Sequence, residues 1–228
     1  MGIIANMAVI AIFGLVGSRL RKGITSESFR SLGICIVIVS IVGFFENMYN
    51  VQEGRLISTS LTLVLIAFLL GSKLGEKLRL NQRLSNWGKT SNASKNAVMD
   101  AFLFFGIGGL QICGPIAFAT QGDNSQLLLK SAIDIPFAIL FGATYGSWVA
   151  LAALPVGLVQ AGIALTAWCL RDFFTDQVVM DLCSMGYIIL FFSGFNLFTN
   201  SKNKVDNISM LPGILIILLY HGLKELLL

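Results

Sequence analysis

Lys130 and Asp134 stand four residues apart, a spacing that puts both side chains on one helical face and lets an ammonium pair with a carboxylate. Two amides, Gln111 and Gln160, lie deep in apolar stretches whose hydrocarbon surroundings cannot satisfy their donors and acceptors. Gln111 belongs to the run Gly106-Ile-Gly108-Gly109-Leu-Gln111-Ile-Cys-Gly114-Pro115, in which four glycines and a proline favour an unwound or kinked helix. Broken helices expose main-chain carbonyls and helix ends to a solute. The chemistry on offer is therefore contact with a small solute or ion. Gly108, Gly109, Gln111, Gly114 and Gln160 would serve it at mid-depth, and Lys130 with Asp134 at an outer entrance. Each group also has a plainer use: glycine and proline in packing, amides in bonds between helices, Lys130 with Asp134 as an interfacial anchor.

Other chemistries find no residues. Cys35, Cys113, Cys169 and Cys183 are scattered through apolar runs, where they act as small hydrophobes, so no disulfide is expected. Their spacing fits no zinc site, and the single histidine, His221, makes no His-rich one. Without a Walker-type loop or a nucleophile, base and metal set, the chain reads as a non-enzyme with no cofactor. The longest polar connection, Lys73 to Asn96, is too short for a catalytic domain, and its basic residues suit anionic lipid.

The elements that must carry these groups follow from composition. Of 228 residues 55% are hydrophobic and 12% charged, about half the charge density of soluble domains, and mean hydropathy is +0.79. Such a chain is solvated by a lipid bilayer. Its net charge of +4 does not mark a nucleic-acid binder, because the basic residues sit in short connections between apolar runs. Apolar length predicts an all-α bundle of about eight spans in one integral membrane domain, residues 1–228: about 2–18, 31–48, 57–75, 97–119, 131–150, 153–170, 178–199 and 209–223. The start lacks the basic flank of a cleavable signal and is expected to remain as the first span. Ile135 to Leu170 runs without a charge, so its division is the weakest; a turn is expected at Ala153-Leu154-Pro155, and a re-entrant pair is the alternative.

Twelve of the 16 basic residues fall in one alternate set of connections: Arg19, Arg21, Lys22, Arg30, Lys73, Lys77, Arg79, Arg83, Lys89, Lys95, Lys202 and Lys204. Only Arg55, Lys130, Arg171 and Lys224 fall in the other. Cytoplasmic connections retain Lys and Arg, so both termini are expected outside the cytoplasm. None of the 12 acids is expected at a span centre. Glu46, Asp100, Asp134 and Asp181 fall near helix ends, where water or headgroups reach them, which disfavours a proton pump built on a central carboxylate. Glu46 and Asp181 are candidates to join Lys130 and Asp134 in an extracytoplasmic vestibule.

A shift of 71 positions pairs Gly43 with Gly114, Ser60 with Ser131, Ala67 with Ala138, Leu69 with Leu140, Gly71 with Gly142 and Gly75 with Gly146. The second and third spans thus echo the fourth and fifth as a parallel hairpin repeat. Gly71-x-x-x-Gly75 and Gly142-x-x-x-Gly146 place bare faces for close helix packing, a permeation path or a homo-oligomer contact.

Gly2-Ile-Ile-Ala-Asn6 followed by Gly14 and Gly17, Gly71 with Gly75-Glu76, the string Lys130-Ser131-Ala-Ile-Asp134, Gly146, and Gly194-Phe-Asn196-Leu occur in an order that resembles the YqgA/YdfK-like bacterial membrane family, domain of unknown function 554. The resemblance spans nearly the whole chain. It departs at Asn207-Ile-Ser-Met-Leu211-Pro212, where the gap before Leu-Pro is longer. The resemblance implies an inner-membrane protein and a transporter of unassigned substrate, and it draws Asn6 and Asn196 into the candidate site with Lys130 and Asp134. Movement of a small solute or ion is the leading expectation. A non-transporting scaffold or regulatory subunit that binds another membrane protein is the alternative.

Overall fold

The computed structural model describes residues 1–20, 26–52, 55–87, 89–106, 108–199 and 204–227; Arg21, Lys22 and Lys202 lie outside the described residues. Among the described residues the regular structure is helical apart from one antiparallel β-hairpin, β1 (Tyr49–Gln52) with β2 (Arg55–Ser58), in register Tyr49 to Ser58 and Gln52 to Arg55. It forms two compact units, Met1–Phe29 with Gln82–Cys169 and Arg30–Asn81 with Leu170–Leu228.

The first unit holds α1 (Gly2–Arg19), α5 (Ala93–Gly106), α6 (Gly109–Gln121), α7 (Ser125–Tyr145), a 3-10 turn (Ser147–Ala152) and α8 (Ala153–Cys169). Its main contact is α1 on α7, aligned in parallel. A Cβ on Gly17 would meet the Ile139 carbonyl, and one on Gly142 would meet the Gly14 carbonyl. Only bare backbones approach so closely, and in lipid this packing, rather than hydrophobic burial, holds helices together. Gly142 serves in this way, while Gly146 has a different use. Gly146 takes φ 82° and ends α7, so the turn after the fifth segment falls there and not at Ala153-Leu154-Pro155. Pro155 is third in α8, in a first turn where proline is tolerated.

The second unit holds α2 from Arg30 (Ser26–Glu46 in full), the hairpin, α3 (Leu61–Lys77), α9 (Asp176–Phe198), a 3-10 turn (Ile208–Met210) and α10 (Pro212–Leu227). The short α4 (Leu80–Asn86) bridges to the first. Gly71 and Gly75 lie against the main chain of Gly213 and Ser209, and Gly33 against Gly194 and Phe198. Both crossings are antiparallel. Phe68 stacks on Phe192 at 5.8 Å.

Among the described residues five helical stretches are long and apolar enough to cross a membrane: Gly2–Arg19, Ser125–Tyr145, Ser147–Cys169, Asp176–Phe198 and Ile208–Leu227. The fourth expected segment is two helices, α5 and α6, set at 60°, and counted as one bent span they make six. α2 has 21 residues and α3 has 17.

Candidate functional site

α1 buries one stripe, Gly2, Asn6, Ile10, Gly14 and Gly17, at spacings of four and three. The glycines that admit α7 therefore press Asn6, on the same stripe, onto Asp134. Asn6 Nδ2 donates to Asp134 Oδ2 at 2.6 Å, and Lys130 Nζ donates to the same oxygen at 2.5 Å. The ion pair is buried, with both side chains 7% exposed. A buried pair of this kind holds only while each charge keeps the other and the remaining hydrogen bonds are made.

The network continues away from the charges. Gln160 Nε2, on α8, donates to Asn6 Oδ1 at 3.1 Å and to Gln111 Oε1 at 2.9 Å. Gln111, third in α6, returns its own Nε2 to the Val156 carbonyl at 3.2 Å. Asn6 and Gln160 are fully buried, and Gln111 is 1% exposed. Five side chains from four helices thus form one hydrogen-bonded line inside the first unit. Among the described residues one buried side-chain polar atom has no partner in the protein: Gln160 Oε1.

The backbone supports this line. Gly108 is extended (φ −176°, ψ 161°) and caps α6, and Gly109, buried, opens that helix. Gly114 faces the Leu127 side chain of α7. α7 is anchored nearby by Asn124, whose Oδ1 accepts from the Gly2 N–H at 3.1 Å. Of the residues singled out in the sequence, Asn6, Gln111, Lys130, Asp134 and Gln160 meet in this network and Gly108, Gly109 and Gly114 shape α6. Asn196 does not join them. It lies in the second unit, where its side chain exchanges two hydrogen bonds with the main chain of Val205 and fastens the connection to α10.

Two expectations about the acids change. α7 starts at Ser125, earlier than the expected 131, so Asp134 is its tenth residue of 21. It is buried among helices rather than washed at a helix end. Asp181 is fully buried too, in the second unit. It accepts from the Ser60 N–H at 2.7 Å and Gln177 Nε2 at 3.1 Å, and His221 Nε2 lies 2.9 Å from its other oxygen. A carboxylate at the start of α3 suits the unsatisfied N–H groups there. Beside it Asn47 Nδ2 donates to the Met180 carbonyl and Ser184 Oγ, and Thr59 Oγ1 lies 3.1 Å from Ser184 Oγ. Reading the sequence missed this second cluster because its partners are far apart in the chain and His221 stood alone. The one available signal was an acid and a histidine inside apolar runs. Glu46, the fourth member of the expected vestibule, is exposed.

The profile of the family described as "Protein of unknown function (DUF554)" matches residues 1–221. The chain belongs to this family. Among DUF554 relatives it is similar to "Uncharacterized membrane protein YdfK" of Bacillus subtilis (strain 168), 28% identical over 219 residues that cover 94% of this chain and 93% of the relative. It is also similar to "Uncharacterized protein YqgA" of Escherichia coli (strain K12), 24% identical over 233 residues with 92% of each covered. No solved structure matches this DUF554 chain.

Proposed function

We propose that this DUF554 protein is a multi-pass protein of a bacterial inner membrane that moves a small solute or ion, with the Lys130–Asp134–Asn6–Gln160–Gln111 line as its contact site. The observation that carries the reading is that line itself. A charge pair and three amides are buried in helices otherwise built for hydrocarbon, where polar groups are expensive and mark pathways for solutes. The break between α5 and α6 beside Gln111 supports it, since interrupted helices frame many transport sites.

Eight spans with both termini outside the cytoplasm complete the proposal. The basic-residue asymmetry supports this orientation, and so do the parallel crossing of α1 with α7 and the antiparallel crossings of α2 with α9 and α3 with α10, which alternate as eight passes require. The proposed hairpin repeat places one copy in each unit, and its paired glycines Gly71 and Gly142 both seat a neighbouring backbone. The test is flux into liposomes holding the purified chain, across a panel of ions and uncharged metabolites. Flux reduced by Lys130→Met supports the reading. An absence of flux under every condition removes it and leaves the line as glue between helices in a scaffold subunit.

A further inference from the structure

The orientation of the Gln160 amide is forced from both sides. Asp134 can only accept, so Asn6 must turn its Nδ2 toward it and its Oδ1 toward Gln160. From the other side the Val156 carbonyl can only accept, so Gln111 turns its Nε2 there and its Oε1 toward Gln160. Two acceptors therefore converge on Gln160, and a single NH2 group answers both. Flipping the amide would set three oxygens against one another. The consequence is that Gln160 Oε1, fully buried, has no hydrogen-bond partner among the described residues, a state that costs stability until a donor reaches it.

Gln111, the residue that accepts from the Gln160 side chain, offers a second acceptor on its main chain. Pro115 has no N–H, so the main-chain carbonyl of Gln111, four residues earlier in α6, lacks its helical donor. A Cβ built on Gly108, the cap of the helix that carries Gln111, would meet nothing within 4 Å. Charge selects further. Lys130 already balances Asp134, so the network carries no net charge to hold an ion.

We infer that Gln160 Oε1 is the docking point for a small uncharged solute bearing N–H or O–H donors, of the class of water, amides, amines in their neutral form and polyols. This rests on the transport reading above and names its substrate class. The N–H or O–H of the solute supplies the bond that the protein leaves unmade, and the Gln111 carbonyl takes a second donor where the solute has one.

The test uses the full chain in liposomes. Stopped-flow scattering follows water, acetamide, glycerol and N,N-dimethylacetamide, which matches acetamide in its carbonyl but has no N–H; potassium, sodium and chloride currents are recorded in parallel. The expected result is flux of at least one donor-bearing solute tenfold or more above protein-free vesicles, with N,N-dimethylacetamide at background and no ion current. Gln160→Met, checked for a monodisperse fold, lowers that flux about tenfold. The comparison of acetamide with its dimethyl form needs no variant and decides the case if Gln160→Met does not fold. Currents without solute flux, equal passage of both amides, or full flux in a folded Gln160→Met protein each overturn this inference and leave the transport reading standing. No movement of anything overturns both.

Discussion

Replacing Lys130 by Met removes the ammonium from Asp134 and leaves a buried carboxylate with Asn6 Nδ2 as its remaining donor. Breaking a buried pair from one side costs about 3–5 kcal/mol, because the surviving charge stays uncompensated. Asp134→Asn alone strands the Lys130 ammonium and is expected to cost a similar amount. In the double variant no charge remains, and the new amide oxygen still accepts from Asn6, so stability should return to within about 1–2 kcal/mol of the parent. The two single losses are then far from additive. Independent sites add within about 0.5 kcal/mol, and here the coupling should exceed about 2 kcal/mol. Detergent-driven unfolding in mixed micelles, followed by tryptophan fluorescence, measures it, since Trp87, Trp148 and Trp168 all lie in the unit that holds the pair. Additive single and double variants would refute the argument that these two side chains neutralise each other in a water-poor interior.

Gly17→Leu should abolish folding, because the added side chain would occupy the Ile139 carbonyl, whereas Gly108→Ala should shift stability by no more than about 0.5 kcal/mol, its backbone being extended and its side open. Thermal unfolding of the two variants in detergent checks the contrast. Gly146→Ala should cost about 1–3 kcal/mol, since φ 82° with ψ −168° is a conformation reserved to glycine. His221→Leu strips one partner from Asp181 and should destabilise by about 1–3 kcal/mol. The chain has a single histidine, so a 15N-imidazole signal that moves in Asp181→Asn would report their contact directly. Cysteines placed at Ser85 and Asp123, on a background lacking the native four, should label from opposite sides of the membrane, Ser85 from the cytoplasm.

Much of the candidate site was legible because intramembrane polarity is rare. Gln111, Gln160, Lys130 and Asp134 stand out from their apolar surroundings by residue type alone, and the four-residue spacing of the last two gave their pairing. Asn6 entered through a family resemblance, and its stripe of glycines explains why it faces α7. Asn196 carried the same resemblance into a different unit, since a polar residue in a span is as useful for fastening a connection as for meeting a solute. The β-hairpin at 49–58 was not legible. Residues 49–56 were read as the connection between the second and third spans and only Ile57 and Ser58 fell inside the third, because two four-residue strands leave too short a period to detect.

What the amino-acid order alone determined is the class of solvent, the apolar segments and the residues too polar for their setting, all of which follow from local composition against the thickness of a hydrocarbon layer. Direction was left to tertiary structure. Which end of each amide faces which neighbour depends on α1 and α6 meeting Gln160 of α8 at once, and only that meeting leaves its Oε1 without a donor. The same holds for Asp181 and His221, forty residues apart, whose pairing is set by the packing of α9 and α10 and by no spacing along the chain.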